Sequence, residues 1–193
     1  MARKKIKPNE KIILATLKLA ETMPWQEVTM NKIAKAAKIE NSTLNENFSS
    51  KLSILSAFNR QLDEQAMKNF SNITNMGSIR EQIFEILMAR FDSLNLHKIA
   101  LNSIYKETVP IDPIASSHGF NNLINSMEII LNIVGIATRS PLGCIKTKVL
   151  GAIFFRSFRT WLKDESPDMA KTMATLDKDL AKAETIMKSL NNC

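Results

Sequence analysis

Between Thr29 and Lys51 lies a set of side chains able to read or grip a nucleic acid. The amides of Asn41 and Asn45 can donate and accept side by side, which matches the N6 and N7 edge of adenine. Ser42, Thr43 and Asn47 add short polar groups on the same segment. Thr29 and Lys51 can bond phosphate oxygens, and Lys51 stands where a helix start adds backbone N–H donors. Lys32 and Lys35 bring positive charge on the preceding segment. Glu46 acts in the opposite sense, since it repels phosphate or demands a cytosine amino group.

These side chains need elements that hold them outward. Leu44 and Phe48 are four apart and share one helical face, which turns Asn41, Ser42 and Asn45 to the other, with Thr43 at its margin. Ahead of them, Met30, Ile33, Ala34 and Ala37 form a short apolar-periodic segment that ends at the polar break Lys38-Ile39-Glu40. Ser49-Ser50 offers a hydroxyl cap to a longer helix beginning near Lys51. Two short helices joined by a tight turn, with one polar face left on the second, have the layout of a helix-turn-helix. Upstream, a helix is expected from Pro8-Asn9 to about Thr22, with Ile13, Leu17 and Ala20 inward. Met23-Pro24 ends it, because a residue before proline resists helical geometry. Trp25 and Val28 are expected to pack beneath this small domain. The tail Arg3-Lys4-Lys5-Ile6-Lys7 reads either as a charged terminus or as an arm lying along DNA.

Charge placement agrees with a nucleic-acid partner. Residues 1–51 hold ten Lys/Arg against five Asp/Glu, whereas residues 52–193 hold sixteen against fourteen. The chain is 45% hydrophobic with only five Gly and six Pro, which favours helices with short connections over a sheet protein or a disordered chain. No apolar run approaches the roughly 18 residues of a transmembrane helix. The basic start has no apolar segment behind it to make a signal peptide. Cys144 and Cys193 are too few and too far apart for a disulfide framework, and a reduced cytoplasmic location follows. An enzyme is not expected: there is no nucleophile elbow, phosphate-cradling glycine loop, metal-ligand spacing or cofactor motif. His97, His118 and Tyr105 stand apart from any partner of catalytic type.

The segment resembles the DNA-binding domain of TetR-type bacterial transcriptional regulators, through Thr29, Ile33-Ala34, Ala36-Ala37, Ile39, Thr43-Leu44, Phe48, Ser50-Lys51 and Leu55. Lys11 to Ala20 looks like the first helix of that family. Family members usually carry Gly where Lys38 stands and an aromatic where Asn45 stands. Lys38 would then occupy a left-handed backbone position, costing on the order of 1 kcal/mol relative to Gly. The resemblance implies an all-α protein: a three-helix head at 1–50, a connecting helix and boundary at 51–77, and a helical ligand-binding and dimerisation domain at 78–193. It implies a sequence-specific regulator, a ligand-responsive repressor, whose partners are double-stranded operator DNA, a second copy of itself and a small apolar effector.

The remaining chain supplies material for that larger domain. The Lys51 helix continues through Phe58, Leu62 and Ala66 to about Phe70, and the polar stretch Ser71–Ser78 marks a boundary. Ser78 caps an amphipathic helix through Ile83, Leu87 and Leu94, a short helix follows from about Leu96 to Lys106, and prolines break the chain at 110 and 113. A helix of about twenty residues then runs up to Gly135. Phe84, Met88, Phe91, Phe120, Met127, Leu131, Phe154 and Phe158 would, by the resemblance, line an effector pocket; stripes at this spacing equally make core. The helix from Leu142 to Lys163 is apolar on two sides. In the last helix Met169, Met173, Leu176, Leu180, Ala183, Met187 and Leu190 alternate at intervals of four and three, a coiled-coil seam. Ile145, Val149 and Ile153 with Met173, Leu176, Leu180 and Met187 are therefore expected at a four-helix dimer interface, an intrachain bundle being the alternative. Trp161-Leu162-Lys163-Asp164 with Ser166-Pro167-Asp168 and Thr172 also resembles a lipid-binding, ubiquinone-biosynthesis family that shares the TetR fold. That rival is a lipid- or quinone-binding accessory protein without DNA affinity, carrying a degenerate helix-turn-helix and a further membrane-docking helix; little chain remains here for such a helix.

Overall fold

A computed structural model describes residues 7–70 and 77–191. The basic tail before Lys7, most of the Ser71–Ser78 boundary and the side chain of Leu190 lie outside the described residues. Every regular element among the described residues is helical: α1 (Pro8–Thr22), a 3-10 turn (Trp25–Glu27), α2 (Met30–Ala37), α3 (Asn41–Asn47), α4 (Lys51–Phe70), α5 (Ile79–Asn95), α6 (Lys98–Thr108), α7 (Pro113–Ile133), α8 (Pro141–Trp161) and α9 (Ala170–Asn191). The chain divides into two compact units. One comprises residues up to Gln61 with Leu96–Asn122; the other comprises Leu62–Asn95 and the residues from Leu123 onward.

In the first unit α1 starts at Pro8, whose missing N–H costs nothing in the first turn. It buries Ile12, Ile13, Leu17 and Ala20, and packs on α2 and α6. Met23 is extended ahead of Pro24, so the helix stops there. Trp25 and Val28 are buried beneath it. Thr29 caps α2 by accepting from the Lys32 N–H at 3.3 Å. At the other end Lys38 adopts φ 55° and ψ 50°, and the Ile39 N–H reaches back to the Ala34 carbonyl at 3.1 Å. That is a left-handed helix stop built on a lysine. Ser50 and Ser53 cap the start of α4 reciprocally, each hydroxyl accepting from the other's N–H at 3.2 Å. Ala100 and Ile104 bury the inner face of α6, and His97 meets the Phe58 ring edge-on at 5.6 Å.

In the second unit Ser78 and Glu81 form a capping box at the start of α5: the Glu81 carboxylate accepts from the Ser78 N–H at 2.7 Å. Phe91 stacks on Phe154 at 5.0 Å, and Trp161 lies 6.1 Å from Phe91 and 5.3 Å from Phe158. The Trp161 indole N–H donates to the Asn95 side chain at 3.2 Å. Inside this core Arg90 pairs with Asp63, while Ser126 donates to Asp63 at 2.9 Å. Asp164 organises the turn into α9: its carboxylate accepts from both N–H and hydroxyl of Ser166 and of Thr172. Burial raises its pKa, but those four hydrogen bonds outweigh it and hold the carboxyl well below the usual range.

The α9 seam is covered in part within this one chain. Leu176 and Leu180 are buried within this one chain, as is Ile153 of α8, because α9 packs on α8 and α5. Part of the interval of four and three is taken by intrachain neighbours, the alternative the sequence also allowed. Met173 and Ile145 remain exposed.

Candidate nucleic-acid interface and ligand cavity

The second helix of the head, α3, is seven residues long and held by two anchors. Leu44 is fully buried and Phe48, just past its end, nearly so. Fixing that face leaves Asn41, Ser42, Asn45, Glu46 and Asn47 exposed and Thr43 half-buried. The Asn47 amide turns back to the Thr43 carbonyl at 2.7 Å, and the Ser42 hydroxyl donates to Glu40 at 3.3 Å. No side-chain hydrogen bond engages the amides of Asn41 or Asn45 among the described residues. These two present complete donor–acceptor edges to whatever approaches.

Around them stand the cations of α2. Lys35 and Lys38 are exposed, and Lys32 is half-buried, 4.0 Å from the Glu27 carboxylate. Lys51 behaves differently from the simple expectation of a phosphate ligand. Its ammonium donates to the Trp25 carbonyl at 2.8 Å and sits 4.5 Å above the Trp25 ring. Burial lowers its pKa, and Glu107 on α6 opposes that shift. The same Glu107 accepts from the Gln26 N–H at 3.1 Å. Trp25, Lys51 and Glu107 thus tie the 3-10 turn and the start of α4 to α6. Sequence reasoning missed this, since Glu107 lies far along the chain and its only signal is its charge.

A cavity of about 240 Å³ opens in the second unit, lined by α5, α8, α9 and the end of α7. The aromatic residues expected at an effector pocket do not border it. Of the expected lining only Leu131 borders it. Phe91, Met127, Met88 and Phe154 are packed core, and Phe84 and Phe158 are half-buried without reaching it. Phe120 is 54% exposed on α7, belongs to the first unit and does not border this cavity. Large rings make many contacts and fill space, whereas the cavity lies where shorter side chains leave a gap. Val149, Ile153, Leu180 and Met187, expected at a dimer contact, also line it.

Residues 12–58 match the family model of bacterial regulatory proteins of the tetR family. That span covers α1 through the anchored half of α4, the whole helix-turn-helix described above. Over these residues the chain is similar to the N-terminal domain of that family. TetR-family structures also share the fold. A TetR transcriptional regulator from Nitrosomonas europaea superposes with a TM-score of 0.73 at 16% identity, covering 93% of this chain and 99% of that one. A TetR regulator from a Rhodococcus species gives 0.65 at 17% identity, covering 90% and 93%. FadR of Thermus thermophilus, a TetR-family repressor solved with lauroyl-CoA, gives 0.57 at 20% identity, covering 90% and 91%. No curated protein matches the sequence significantly. Among the described residues no helix is long and apolar enough to cross a membrane, and no His, Cys, Asp and Glu cluster could hold a metal.

Proposed function

We propose that this protein is a cytoplasmic, ligand-responsive repressor of the TetR type that reads an operator through α3. The observation that carries this is the pair Asn41 and Asn45, exposed and with both amide edges available above the buried Leu44 and Phe48. Each suits adenine in a major groove. Lys32 and Lys35, with Thr29 at the start of α2, supply the phosphate contacts that set register without carrying sequence information.

The protein acts as a homodimer, placing two copies of α3 on half-sites about one helical turn apart or a multiple of it. Leu142, Ile145 and Val149 support this, because their spacing makes one exposed apolar stripe along α8. An effector in the cavity shifts the population between head positions that fit the operator and positions that do not. Its differential affinity for the two states sets the size of the response.

Fluorescence-anisotropy titration of duplex from upstream of the protein's own gene tests the proposal, with a scrambled duplex alongside at two salt concentrations. Binding that prefers the native duplex and weakens as salt rises is expected. Equal, weak binding to both duplexes and to other candidate operators refutes it, and favours the lipid-binding accessory role.

A further inference from the structure

The cavity of the second unit has a charge that its apolar walls do not account for. Ile83, Leu131, Val149, Ile153, Leu180 and Met187 make those walls. Three cations, Arg80, Lys146 and Lys188, also line it, against one carboxylate, Glu184. That carboxylate is already shared: Arg80 approaches it at 3.5 Å and Lys188 at 3.0 Å. Arg80 further engages Asp177 at 2.6 Å. Lys146 is half-buried and has no ion-pair partner among the described residues.

A neutral ligand filling this space would strip water from the Lys146 ammonium and return nothing for it. An anion placed there restores the lost interaction as a charge-assisted hydrogen bond. The volume of about 240 Å³, below the roughly 300 Å³ at which pockets for drug-sized molecules begin, suits a small amphiphile. We infer that the cavity binds a carboxylate amphiphile of the fatty-acid class, its apolar tail against the walls of α5, α7, α8 and α9 and its carboxylate at Lys146. This deepens the proposed effector role and rests on it only for the link to DNA, because binding at the cavity is measurable without DNA.

Isothermal titration of the full chain tests the site with three probes: decanoate, decanol and decanoyl-CoA. Decanoate is expected to bind about tenfold or more tighter than decanol, the value of one charge-assisted contact. Lys146→Gln removes that difference by weakening decanoate alone. Ala183→Phe, which puts bulk into the cavity from α9, weakens both probes. Thermal melts verify that each variant is folded. Equal affinity for decanoate and decanol overturns the assignment, as does absence of binding or indifference to Lys146→Gln. Tighter binding of decanoyl-CoA than decanoate also overturns it, since the phosphates of that molecule stand a long spacer away from its tail. Failure of DNA binding in the same preparation refutes the regulator and leaves the decanoate site standing; the converse holds equally.

Discussion

Asp63 on α4 and Arg90 on α5 carry opposite charges in the interior of the second unit, with side chains only 7% and 3% exposed. Burial lowers the Arg90 pKa, and the charge and hydrogen bond of Asp63 oppose that shift. Arg90 also donates to Ser126 at 3.4 Å and lies 5.6 Å from the Phe154 ring centre. Both ions have given up bulk water, so the pair attracts strongly but has paid a desolvation cost of similar size. Asp63→Leu should therefore leave a guanidinium buried without its counter-charge and cost about 3–5 kcal/mol. Arg90→Met should cost about as much by stranding the carboxylate. Combining them removes both penalties, and the double variant should lie close to the parent or above it by about 1–4 kcal/mol. For a chain of this size each kcal/mol moves Tm by about 2–4 °C, so each single variant should melt on the order of 10 °C lower. Circular dichroism melts and urea titrations of the four proteins complete the cycle. An apparent coupling above about 3 kcal/mol, beyond the usual range for neighbouring residues, is expected. A double variant whose loss equals the sum of the singles would refute the desolvation argument, as would singles costing less than about 1 kcal/mol.

Other outcomes follow from local geometry. Lys38→Gly relieves about 1–2 kcal/mol of left-handed strain and gives back part of it through unfolded-chain entropy, for a net gain of about 0.5–1 kcal/mol. Thermal melts should show a rise of a few degrees, whereas Lys38→Val should melt lower. Asn45→Ala should lose discrimination worth about 1–3 kcal/mol between operator and scrambled duplex. Lys32→Ala should instead weaken both duplexes and flatten the salt dependence; equal behaviour of the two variants undoes the assigned roles. Asp164→Ala strands the Ser166 and Thr172 donors and should cost about 1–3 kcal/mol at pH 7. The Asp164 carboxyl titrates lower folded than unfolded, so its contribution is complete above the ordinary carboxylate range and lost as pH falls below it. Melts between pH 7 and pH 3 should therefore drop less steeply for Asp164→Asn than for the parent.

The head was legible because its signals are local. Thr29 and Ser50 cap the helices they precede, and Met23-Pro24 stops α1. The spacing of Leu44 and Phe48 sorted α3 into an anchored and an exposed face. Even the left-handed turn at Lys38 was visible, through the glycine that relatives place there. What the local pattern left open was anything depending on a distant neighbour. Periodicity marks Leu176 and Leu180 as apolar but does not say whether α8 or a second chain covers them. Aromatic residues announce buried volume, so they pointed to the filled core of Phe91, Phe154 and Trp161. A cavity is a shortage of atoms, and no residue type encodes a shortage. Lys51 was placed correctly at the start of α4, but its ammonium turned toward Trp25 for a backbone carbonyl and a ring face.

That last contact gives the molecule a built-in optical probe. The chain has two tryptophans: Trp25 lies in the first unit and Trp161 in the second. A positive charge 4.5 Å above the Trp25 indole polarises its excited state, so emission from that ring depends on where the Lys51 ammonium points. A phosphate that draws Lys51 outward would change the colour and yield of Trp25 fluorescence. Trp161, packed at a tilt between Phe91 and Phe158, would supply the steady background. Replacing Trp161 by Phe would leave a single emitter beside the helix-turn-helix, and DNA engagement could then be followed in unlabelled protein, on the millisecond scale of a stopped-flow instrument.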